Sequence, residues 1–131
     1  MTRASYDAPA PDEAEDLIRS LFGLGEVGYV ALDWHGQTVM RLADGVETDT
    51  TTQTNFFEEY LLNPSLIFMA QRRGNLDCGG LRYVAVGYGD FTMLLMPIAQ
   101  GNVSIGVARK RDVGELARAA EQLLVSRPVV Q

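Results

Sequence analysis

The chain has 131 residues, a formal charge of −6 and 47% hydrophobic residues, enough for one domain with a single core and no disulfide support. So acidic a chain lacks the clustered Lys and Arg that a phosphate backbone requires, and no nucleic acid is expected as a partner. The single cysteine, Cys78, excludes an intrachain disulfide, and no apolar stretch reaches the length of a membrane span.

Residues 1–11 are rich in Ala, Pro and Asp and read as a disordered tail. They have no apolar core and are acidic, unlike a signal peptide, which makes the cytoplasm the expected location. A single domain is expected over 12–126, followed by a short tail at 127–131. Asp12 followed by Glu15 resembles a capping box, and Ala14, Leu17, Ile18, Leu21 and Phe22 keep helical spacing up to the glycines at 23 and 25. The stretch Gly23-Leu24-Gly25-Glu26-Val27-Gly28 fits G-x-G-x-x-G. The dinucleotide fingerprint needs a strand before those glycines and a helix after; here the order is reversed, so they are a helix stop and a turn.

Val27 to Asp33 is the first strand, apolar on both faces. Trp34-His35-Gly36-Gln37 reads as a turn with an exposed tryptophan, and Trp34 is a candidate partner contact. Thr38 to Leu42 returns as the second strand, with Arg41 pointing outward. His35, the only histidine, reads as solvent-facing rather than catalytic. The polar loop 43–54 holds Asp44, Glu47 and Asp49, which lack the spacing of a calcium loop.

Asn55 to Leu62 looks helical. Pro64 is expected to interrupt it, with Asn63 as a fresh N-cap and a second helix running through Arg73 to a stop at Gly74. Leu66, Ile67, Phe68 and Met69 are consecutive, which at about 100° per residue spreads apolar side chains around about 300° of the axis. One side can cover a sheet. The other needs its own cover, or large side chains stay in water at roughly 1.5–3 kcal/mol of forgone burial each. Either a second copy of the chain supplies that cover, or the first helical half folds back over the second.

Leu81 to Val86, Phe91 to Ile98 and Val103 to Ala108 form a meander with turns at Gly87-Tyr88-Gly89-Asp90 and Ala99-Gln100-Gly101-Asn102. The middle strand is apolar on both faces and so needs helices on both sides. In the third strand, Ser104, Gly106 and Ala108 share one face and leave room for close helix approach. Asp112 caps a last helix, whose buried stripe is Val113, Leu116, Ala117, Ala120, Leu123 and Leu124. The fold class is therefore α+β, a five-stranded antiparallel sheet with helices on both faces, in the order α-β-β-α-β-β-β-α.

With that order, the hairpin Asp33-Trp34-His35-Gly36, and the run from Phe91 through Met96-Pro97-Ile98 to Asn102-Val103-Ser104-Ile105-Gly106-Val107, the chain resembles the Roadblock family of dynein light chains and bacterial GTPase regulators. The resemblance covers roughly residues 12–125. It implies a homodimer made by pairing the strand after the middle helix and packing the two middle helices together. The expected interface is Leu62, Leu66, Ile67, Phe68 and Met69, with Leu81, Tyr83 and Ala85. It also implies a Ras-like small GTPase as partner, although no arginine finger can be assigned. One His, one Cys and no metal-ligand or phosphate-loop spacing leave no catalytic set and no cofactor, so a non-enzymatic interaction module is expected. The alternative is a PAS- or GAF-like small-molecule sensor, with Tyr29, Met93 and Met96 lining a pocket.

Overall fold

The computed structural model describes residues 10–43 and 50–126, with backbone alone for 50–63 and for 125–126. The elements are α1 (Asp12–Phe22), β1 (Val27–Trp34), β2 (Gln37–Leu42), α2 (Thr50–Asp77), β3 (Val84–Gly87), β4 (Phe91–Ile98), β5 (Gly101–Ala108) and α3 (Val113–Ser126). All five strands join one antiparallel sheet in the order β2-β1-β5-β4-β3. The α+β class and the order of elements are those expected from the sequence.

Strand alternation sorts the side chains into two layers. Val30 and Leu32 of β1, Leu94 and Met96 of β4, and Val103 and Ile105 of β5 face one side. There they meet Leu17 and Leu21 of α1 and Leu116 and Ala120 of α3. Tyr29, Ala31, Met40, Met93 and Leu95 face the other side and are buried too. On that side α2 packs against β4, with Ile67 6% exposed. The doubly apolar pattern of β4 is thus met by cover on both faces.

Trp34 corrects the expectation of an exposed tryptophan. It is the last residue of β1, shares a face with Val30 and Leu32, and is 8% exposed within the core. The turn is only His35-Gly36, at φ 51° and 87°. Two positive φ values are what a two-residue type I′ hairpin demands, and they swing Trp34 back into the strand. Arg41 does not point to solvent either. It alternates onto the α1 face with Val39, and its Nη2 donates to Glu15 Oε2 at 2.6 Å. Glu15 is therefore not part of a capping box: α1 starts behind Pro11 with no side-chain cap. Asp112, by contrast, caps α3 as expected, its Oδ1 accepting from the N–H groups of Gly114 at 2.9 Å and Glu115 at 3.2 Å.

The middle helix departs most from expectation. It is one helix of 28 residues that runs through both Pro64 and Gly74. Proline removes a single rung of the ladder, a cost that a long packed helix absorbs. Gly74 is buried against the chain that follows the helix, where a Cβ would sit 3.0 Å from Gly80 C and Leu81 N. The stop comes later, from Gly79 and Gly80 at φ +82° and +96°, where the Gly80 N–H donates to Gly74 O at 3.0 Å. The carboxylates of Asp44, Glu47 and Asp49 lie outside the described residues.

Candidate functional site

Once α2 is continuous, its faces follow from arithmetic. At about 100° per residue, Phe68, Met69, Arg72 and Leu76 fall within an arc of about 100°, opposite Ile67 and Gly74. Ile67 and Gly74 are buried toward the protein, whereas Phe68, Met69 and Leu76 are 60%, 71% and 78% exposed. Leu66, between the two faces, is half-buried, and the side chain of Leu62 is outside the described residues. Three large apolar side chains on one helical face form a patch rather than scattered singletons.

Beyond the Gly79-Gly80 reversal the chain becomes the sheet edge. Strand β3 covers Val84–Gly87, shorter than the expected Leu81 to Val86, and pairs with β4 alone, leaving its other side unpaired among the described strands. Ala85 is exposed, and Leu81 and Tyr83 are half-buried. Tyr83 packs against the core, so its ring is only partly available to another molecule. The lead-in to β3 is pinned by Arg82, whose Nε and Nη2 donate to Glu121 Oε2 and Oε1, both at 2.8 Å. That bidentate bond holds the Glu121 carboxyl below its ordinary range and raises the Arg82 guanidinium.

At the end of α2, Asp77 accepts hydrogen bonds from the Cys78 thiol at 3.1 Å and from Arg73. The thiol bond, then the arginine, lowers the Asp77 carboxyl, and the same carboxylate pushes the exposed Cys78 thiol up. A thiol held protonated is a poor nucleophile. Among the described residues no group of His, Cys, Asp and Glu could hold a metal ion, and no helix is long and apolar enough to cross a membrane.

The site residues named from the sequence thus separate. Phe68 and Met69 lie together on the open face of α2, Ile67 lies beneath them against the sheet, Ala85 is on the open edge, and Trp34 is in the core. Tyr29, Met93 and Met96 do not share a pocket: Met93 and Met96 are on opposite faces of β4, 0% and 2% exposed. Leu76 and the Arg82–Glu121 pin were not anticipated. Leu76 was hidden by placing the helix stop at Gly74, and the two adjacent glycines at 79 and 80 were the signal for the true end.

The sequence matches no protein-family model and no curated protein. Its structure is similar to a Roadblock/LC7 domain from Streptomyces avermitilis, with a TM-score of 0.58 and 16% identity over 84% of this chain and 90% of that one. It is also similar to MglB with tetrameric arrangement, with a TM-score of 0.64 and 10% identity over 96% and 88% of the two chains. The gliding protein MglB from Thermus thermophilus aligns at a TM-score of 0.57 and 9% identity over 97% of this chain and 100% of that one. The fold is that of Roadblock/LC7 domains.

Proposed function

With the Roadblock/LC7 fold as premise, we propose that this chain is a non-enzymatic, homodimeric interaction module that regulates or scaffolds a Ras-like small GTPase. The observation that carries the proposal is the apolar face of Phe68, Met69 and Leu76, set opposite the sheet-facing side of the same helix. A helix that is apolar on two opposed sides is built to be covered twice. A second copy is the simplest cover, since a twofold axis sets the patch against itself and closes the assembly. The unpaired β3 edge then offers a strand-to-strand seam with Ala85 in it. The existence of a tetrameric arrangement of MglB supports self-association on this fold.

The partner half of the proposal rests on the resemblance to bacterial Roadblock regulators of small GTPases. Acceleration of GTP hydrolysis is not part of it, because no arginine can be assigned to a finger. Sedimentation equilibrium at micromolar concentration tests the dimer: twice the chain mass is expected, and a monomer mass throughout would refute it. Co-elution with the Ras-like GTPase encoded nearest to it, loaded with GDP or a GTP analogue, tests the partner. Binding to one nucleotide state in preference to the other is expected, and no co-elution in either state would leave the dimer standing without that partner.

A further inference from the structure

We draw no further inference here: the strongest candidate, the exposed Cys78 thiol where α2 ends and the chain turns toward the unpaired β3 edge, is a lone cysteine bonded to Asp77, and no second feature among the described residues points to a ligand for it.

Discussion

Replacing Phe68 by glutamate tests the proposed dimer face of the middle helix apart from its packing on the sheet. Phe68 is 60% exposed in the single chain, and an aromatic side chain offers ~200 Å² in all, so ~120 Å² is left for a second copy to cover. At ~25 cal/mol per Å² that area is worth ~3 kcal/mol per chain and ~6 kcal/mol for a symmetric pair. Since each 1.4 kcal/mol is tenfold, the dissociation constant should rise by up to ~10⁴, an upper figure because association also costs side-chain ordering. Two carboxylates brought together across a twofold axis add repulsion and desolvation. The same residue contributes little to the single chain, so its melting temperature should move by no more than ~3 °C. Sedimentation velocity at about 20 μM reads the association, and circular dichroism reads the fold. The reasoning fails if Phe68→Glu keeps the dimer mass, or if it unfolds the chain, since the face would then be holding the monomer together.

Gly106→Ala should destabilise the fold by about 1–3 kcal/mol in urea titration, because the new methyl overlaps the Tyr29 ring; a neutral result would mean that the ring is free to leave β5. Asp77→Asn should speed alkylation of Cys78 by iodoacetamide at neutral pH, because the carboxylate that keeps the thiol protonated is gone. An unchanged rate would refute that account. The Arg82–Glu121 bond should make the link between α3 and the β3 lead-in acid-sensitive. Glu121 has its folded-state pKa depressed, first by the Arg82 hydrogen bond, so its contribution is fully present above the unfolded carboxyl range and is lost as pH falls through the folded value. Carbon-13 NMR should find Glu121 titrating below the ordinary glutamate range in the native chain and returning to it in Arg82→Ala.

The strands were readable because their hydrophobic pattern is local. The run Phe91 to Ile98 is apolar on both faces, and that alone required cover on both sides. Asp112 was readable for the same reason, since a cap acts within three residues. What was misread depended on partners far along the chain. Glu15 looked like a capping residue until Arg41 claimed it from β2. Trp34 looked exposed because sequence does not distinguish a four-residue turn from a two-residue one with positive φ at His35 and Gly36. Pro64 and Gly74 looked like stops because their helix penalties are intrinsic, whereas the packing that outweighs them is tertiary. The open face of α2 was legible in part: Phe68 and Met69 were named, and Leu76 was lost with the misplaced end of the helix.

The sheet ends in two unlike borders, β2 on one side and β3 on the other. If like joins like, a single union satisfies the offered border and growth halts at a finite particle. If β3 of one copy met β2 of the next, every addition would leave a fresh acceptor, and the product would be a filament without a natural length. Which border is left sticky therefore sets whether mass plateaus or climbs as concentration rises. Were β3 the border that joins, the glycine reversal that delivers the chain from α2 into it would set the particle size.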